Sequence, residues 1–183
     1  MLDQMLTSAH QSDWIIDGRF GRLTTQSIKE AMLDPRIFWG GTALVILSSY
    51  GLPEEIQTRL ETHKIPYLFL PADDVRETIA GRSFTPQMAL QIKAFIDQLP
   101  EEIRYLHFCC DAGQSRSVAL GAAWLRKLCA DRNDLPVWMS LKQPNPLVYR
   151  IMAEVLGVAV TQDELEFRIH LNQAALRQAI DAS

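Results

Sequence analysis

The segment YLHFCCDAGQSRSVALGAAWLRKL, residues 105–128, predicts a buried strand, a short polar loop and a long apolar helix in immediate succession. The apolar run before the loop is too short for a helix, whereas the alanine-rich run after it has helical spacing. In α/β proteins, ligands bind where the carboxyl end of such a strand leads into a helix. The loop CDAGQ, residues 110–114, is therefore the predicted functional site.

The flanking sequence alternates strands and helices, which is the α/β pattern with a central sheet between helices. The predicted strands are a short one at 14–17 and longer ones at 42–49, 66–71 and 103–109. The predicted helices cover 25–33, 52–64, 85–99 with Thr85 as N-cap and Pro86 at its first position, 115–130, 144–157 and 161–180.

Length and composition predict one globular domain over residues 1–183, because 183 residues with 48% hydrophobic content can bury a substantial core. The three cysteines cannot all pair, and the first 14 residues lack the pattern of a signal peptide. We therefore expect a reducing, cytoplasmic setting. The net charge of −4 has its signs interspersed, so neither a nucleic acid nor a membrane is an expected partner.

The loop has the composition of an anion-binding site. Its spacing from Cys110 is C-x-x-G-x-x-R-S, and its backbone N–H groups, from Asp111, Ala112, Gly113, Gln114 and Ser115, precede a helix N-terminus. Gly113 permits the curl that such a nest requires, and Arg116 can offer a bidentate fork to a tetrahedral phosphate. A site of this kind binds the oxygens of a phosphate group.

Cys110 would lie at the base of this loop, where the positive field favours its thiolate, the nucleophilic form. Ser117, in the first helical turn, can donate its hydroxyl hydrogen to the sulfur and stabilise it as a leaving group. The alternative is that Cys109 and Cys110 are small buried apolar residues and that Arg116 is a solvated helix residue.

The stretch CCDAGQSRS strongly resembles the active-site loop of cysteine-dependent protein tyrosine and dual-specificity phosphatases, and AGQSRS is similar to the dual-specificity form. The resemblance covers about residues 43–157, since PNPLVYRIMAEVLG also resembles a helix of some bacterial members. Residues 158–183 add C-terminal helices outside it. It implies metal-free and cofactor-free hydrolysis of phosphate monoesters through a phosphocysteine, with an aspartate as general acid and base.

In this family the aspartate lies on a loop after the preceding strand, and FLPADDVRE occupies that place. The resemblance favours Asp74 over Asp73 as the acid. The alternative is that these aspartates only cap the turn after the strand.

The sequence departs from the family at Cys109, because a histidine usually stands before the nucleophile and helps to keep it reactive. His107 lies on the same side of the strand as Cys109, so we expect it to be structural. We therefore expect modest activity. Cys129 is about 20 Å beyond Arg116 along the helix, too far for a disulfide with Cys110, and a Cys109–Cys110 bridge would be strained.

The loop contains no lysine, which argues against highly charged phosphoinositides and favours phosphotyrosine, with or without phosphoserine and phosphothreonine, in a protein or peptide. Two other readings stay open. A sulfurtransferase or arsenate reductase shares the cysteine–arginine spacing, and an inactive phosphatase-like module could bind phosphorylated partners without turnover.

Overall fold

The computed structural model describes residues 13–16, 18–129 and 134–182. Five strands form one sheet in the order β1-β2-β5-β3-β4, in which β1 is antiparallel to β2 and the other neighbours are parallel. Their bounds are Asp13–Ile15 for β1, Arg22–Ser27 for β2, Thr42–Ser48 for β3, Tyr67–Pro71 for β4 and Tyr105–Cys110 for β5. The strand that carries both neighbouring cysteines is therefore central and paired on both sides.

Helices cover both faces of this sheet, which confirms the predicted α/β class with a central sheet between helices. Their bounds are Ile28–Leu33 for α1, Glu54–Thr62 for α2, Pro86–Asp97 for α3, Arg116–Leu128 for α4, Leu135–Trp138 for α5, Pro146–Val155 for α6 and Gln162–Asp181 for α7, with a 3-10 turn at Pro35–Phe38. The Thr85 side chain accepts a hydrogen bond from the Met88 N–H, as expected of an N-cap.

One predicted element is wrong in part, because Thr25 lies in β2 and the helix predicted over 25–33 begins only at Ile28. The physical reason is tertiary pairing: β2 runs parallel to β5 along its whole length, from Arg22 opposite Tyr105 to Ser27 opposite Cys110. Threonines suit a buried strand although the segment looks polar. Ser27 and Glu30 form a capping box, which ends the strand and starts α1.

The two cysteines of β5 belong to different cores, because successive side chains of a strand point to opposite faces. Cys110 is part of the larger core, with residues of α3, α4 and α6. Cys109 is part of the smaller core, between the sheet and α1 and α2. None of the helices within the described ranges has the length and apolarity that a membrane span requires.

His107 is fully buried on the Cys109 side of β5. Its Nδ1 lies 3.2 Å from the Gln26 side-chain nitrogen and 2.5 Å from Thr24 Oγ1, both within hydrogen-bond distance. Nε2 is buried without a partner among the described residues. Burial lowers the pKa of His107 to about 4, and this ring is accordingly a structural group rather than a nearby cation for Cys110.

The buried ring predicts a loss of stability in acid. A histidine whose folded pKa lies below its unfolded value binds fewer protons when folded, so stability falls as the pH falls below about 6.5. Between pH 7 and pH 5 this contribution to the free energy of unfolding should drop by about 2 kcal/mol. Urea unfolding of wild type and His107→Gln at both pH values measures it, with exposed His170→Gln as control. Equal pH dependence in all three proteins would contradict the assignment.

Candidate active site

The predicted loop, residues 110–114, starts at Cys110, the last residue of β5, and leads through Ser115 to Arg116, the first residue of α4. The Cys110 sulfur lies 3.1 Å from the Ser117 hydroxyl oxygen, and both side chains are buried. This is hydrogen-bond distance for a sulfur, so the hydroxyl can donate to a thiolate at that place. The structure thus places Cys110, the predicted nucleophile, beside Ser117, the residue predicted to stabilise its sulfur as a leaving group.

Gly113 adopts φ +67° and lies directly against the end of β2. A Cβ there would be 2.6 Å from the Gln26 carbonyl carbon and closer still to the Ser27 nitrogen, so a side chain has no room. The left-handed conformation also favours glycine. The predicted need for glycine therefore has two causes, the curl of the loop and the neighbouring strand.

The Arg116 side chain is only 4% exposed, which excludes the alternative of a solvated helix residue. One terminal nitrogen donates to the Ser49 hydroxyl at 3.1 Å and to the Ala72 carbonyl, and the other donates to the Asp111 carboxylate at 2.6 Å. Its Nε is buried without a partner among the described residues. A buried donor normally finds an acceptor, and an oxygen of a bound anion would provide one here.

Asp111 holds Arg116 in place through its side chain, a role that the sequence did not predict. Its carboxylate accepts from the Ser48 hydroxyl at 2.5 Å and the Ser49 backbone N–H at 3.1 Å as well as from Arg116. Burial opposes ionisation, but these hydrogen bonds from Ser48, Arg116 and Ser49 outweigh it and keep the pKa of Asp111 below its usual range. The loop is thereby tied to the end of β3.

The structure separates the two candidate acids. Asp73 forms an ion pair with Arg82 at 2.5 Å, and that hydrogen bond lowers the pKa of Asp73. Asp74 instead faces the loop, where its Oδ1 accepts from the Ser115 hydroxyl and from the Asn145 side-chain amide, each at 2.8 Å. Both of these hydrogen bonds end on Oδ1.

Asn145 is a residue of the site that sequence reasoning missed. It is buried and caps α6, since its Oδ1 accepts from the backbone N–H groups of Leu147 and Val148. Its Nδ2 donates to Asp74, and its backbone N–H donates to the Ser115 carbonyl at 3.3 Å. The sequence signal was Asn145 followed by Pro146 near the start of the predicted helix at 144–157. This pair is typical of an N-cap but does not indicate a contact with Asp74.

Two substitutions at Asn145 separate its cap from its contact with Asp74. Asn145→Asp retains the cap acceptor but turns a buried carboxylate oxygen toward Asp74, so we expect lower stability and a loss of kcat of about tenfold or more. Asn145→Ala loses both contacts and should also lower the free energy of unfolding by about 1 kcal/mol. Thermal unfolding and steady-state kinetics measure these effects; full activity in Asn145→Asp would exclude a positioning role.

Two residues of the loop, Ala112 and Gln114, are exposed, and the Gln114 carbonyl accepts from the Gln143 N–H at 2.9 Å. None of the three cysteines, all within the described residues, forms a disulfide bond. Burial raises the pKa of Cys109, which favours its neutral thiol. Because Cys109 and Cys110 point to opposite faces, a bridge between them would require reorganisation of β5.

No cluster of three or more metal-ligating side chains occurs in the part of the chain that the structure describes. No protein-family model and no curated protein matches this sequence. Among solved structures, the active form of Tk-PTP is similar, with 18% identity, a TM-score of 0.47 and coverage of 88% of this chain and 97% of the other. PTPMT1 in complex with PI(5)P is similar at 12% identity and a TM-score of 0.46, with coverage of 92% and 99%.

Tk-PTP and PTPMT1 are both cysteine-based phosphatases. Identities this low and TM-scores under 0.5 do not transfer an activity or a substrate from them to this chain. Function is therefore inferred below from the contacts of this chain's own residues.

Proposed function

We propose that this protein is a metal-free phosphatase that hydrolyses phosphate monoesters on phosphorylated proteins through a phosphocysteine at Cys110. The observation that carries the proposal is the buried Nε of Arg116, which has no hydrogen-bond partner among the described residues, beside a loop whose curl leaves backbone N–H groups at a helix N-terminus. A phosphate group matches this set of donors. The sulfur of Cys110 lies at the start of the same loop.

In the first step, the Cys110 thiolate attacks the phosphorus, a sulfur–phosphorus bond forms, and the bond to the ester oxygen breaks. Asp74 gives its proton to that oxygen, so the product leaves as a neutral alcohol or phenol. Arg116 and the loop N–H groups bind the phosphoryl oxygens, where charge develops. Asp111 fixes the guanidinium in advance, because its carboxylate already binds one terminal nitrogen.

In the second step, water attacks the phosphorus while Asp74 takes a proton from it, and the sulfur–phosphorus bond breaks. The electron pair returns to sulfur, and the Ser117 hydroxyl, 3.1 Å away, donates a hydrogen bond to the thiolate. Inorganic phosphate then leaves, and Asp74 is protonated for the next cycle. No external oxidant, reductant or metal enters this balance.

Two features support an aryl phosphate such as phosphotyrosine as substrate. Tyr50 is 90% exposed, next to Ser49, which contacts both Asp111 and Arg116. An exposed aromatic ring at the rim of a phosphate site can stack on the ring of the substrate. The loop itself carries the acidic Asp111 and the neutral Gln114 rather than basic residues, which disfavours a ligand with several phosphates.

Hydrolysis of p-nitrophenyl phosphate tests the proposal. We expect turnover that persists in EDTA and disappears in Cys110→Ser. Loss of activity in EDTA would contradict the metal-free mechanism. Phosphopeptide binding without turnover would instead favour the binding module, and thiosulfate or arsenate turnover without phosphatase activity would favour the sulfurtransferase or reductase.

A further inference from the structure

A groove leads away from the phosphate loop toward the C-terminal helix. Its first part is a hollow of about 380 Å³ lined by Asp74, Arg76, Gln114, Ser115, Leu141 and Gln143. Its second part is a hollow of about 160 Å³. Arg76 and Gln143 line both hollows, and a terminal nitrogen of Arg76 donates to the Gln143 side-chain oxygen at 3.4 Å, so the two hollows are neighbours that meet at this pair.

The second hollow has both polar and apolar side chains in its lining where it reaches α7. Its apolar side chains include Pro144 and Pro146 and, on α7, Ile169 and Leu176. Ile169 and Leu176 are half-buried, so they expose apolar surface to the hollow. Such a surface gains free energy when an apolar group covers it.

Hydrogen bonds hold residues 138–143, beside the groove, in place against α7. The Asn172 side-chain amide of α7 lies within 3.1 Å of the carbonyl oxygens of Trp138, Ser140 and Lys142. The next residue, Gln143, donates its backbone N–H to the phosphate loop at Gln114. These hydrogen bonds connect the phosphate loop, residues 138–143 and α7, so the groove is preformed. A preformed groove binds an extended ligand at a lower entropic cost.

We propose that this groove binds the polypeptide that flanks the phosphorylated residue, with an acidic side chain at Arg76 and an apolar side chain in the hollow at Leu176. The proposal rests on the proposed function, since the loop must hold the phosphate for the flanking chain to enter the groove. The substrate class that this groove would accept is a phosphoprotein segment with an acidic residue and an apolar residue on one and the same side of the phosphorylated residue.

A polypeptide fits this lining better than a lipid tail does. Gln114, Gln143 and Gln173 present side-chain amides along the groove, and these can pair with the N–H and C=O groups of a peptide backbone. An acyl chain would cover the same amides without satisfying them, which is costly. Arg76, the basic residue of the lining, complements a carboxylate.

Fluorescence anisotropy on Cys110→Ser protein tests the groove without turnover. The probes are labelled phosphotyrosine peptides with aspartate or lysine next to the phosphotyrosine, and with leucine or serine at each of the four positions on either side. We expect aspartate to improve the Kd over lysine about fivefold, and one leucine position to improve it by a similar factor.

Variants then assign each preference to its side chain. Adding Arg76→Glu should reverse the aspartate preference, and adding Leu176→Ser should abolish the leucine preference. Leu90→Ser, at a half-exposed leucine of α3, is the matched control and should retain both preferences. Preferences that survive Arg76→Glu and Leu176→Ser would overturn the proposal.

Two further outcomes stay distinct from these. Vesicles containing a phosphatidylinositol monophosphate that displace the peptides, together with no flanking preference, would overturn the proposal in favour of a lipid. Flanking preferences without any hydrolysis of p-nitrophenyl phosphate by wild type would support the groove and refute the proposed phosphatase.

Discussion

Replacement of Cys110 with serine is expected to lower kcat for p-nitrophenyl phosphate about 10⁴-fold, because a hydroxyl remains protonated where a thiolate attacks. Phosphate binding should persist, since Arg116 and the backbone N–H groups of the loop are unchanged. Steady-state kinetics and phosphate titration by calorimetry measure the two effects.

The adjacent cysteine provides a matched control. Cys109 is 0% exposed and points into the other core, away from Ser117. Cys109→Ala removes the thiol and leaves only a small cavity, so kcat should stay within about threefold of wild type while stability falls slightly. If Cys109→Ala were as inactive as Cys110→Ser, the assignment of the nucleophile would be wrong.

Asp74→Asn should lower kcat about 10²-fold to 10⁴-fold for substrates whose leaving oxygen needs a proton, such as phosphotyrosine peptides. The asparagine still accepts from Ser115 through its amide oxygen but has no proton to transfer. The loss should be much smaller for p-nitrophenyl phosphate, whose leaving group departs readily as an anion. The ratio of the two losses is the diagnostic measurement.

Asp73→Asn is the control for this change. Asp73 forms an ion pair with Arg82, whose side chain is largely exposed. Ion pairs at the protein surface contribute little to stability. We expect its kcat on phosphotyrosine peptides to stay within about threefold of wild type. An equal loss on both substrates in Asp74→Asn, or a larger loss in Asp73→Asn, would exclude Asp74 as the acid.

Local signals allowed much of the fold and the position of the candidate loop to be predicted. The fixed spacing from Cys110 to Arg116, between an apolar strand and an alanine-rich helix, placed the loop at the end of β5. The Thr-Pro start of α3 gave its first residue. These features depend on residues close together in the chain, where periodicity and capping preferences are informative.

Features that depend on distant residues could not be predicted in the same way. The contacts of Asp111 with Ser48 span 63 positions, and those of Asn145 with Asp74 span 71. Neither pair has a local pattern. Strand β2 was partly mistaken for a helix because its threonines are stabilised by pairing with β5, which no window of neighbouring residues contains.

The contact between Gly113 and the end of β2 limits how far the chain can be shortened while the candidate active site is retained. A fragment of residues 43–157 would hold every residue proposed for the reaction, yet it would lack the strand against which the loop rests. One side of β5 would then be an open edge, prone to pair with other chains. Any minimal catalytic version of this protein must therefore start before Arg22 rather than at the segment that resembles known phosphatases.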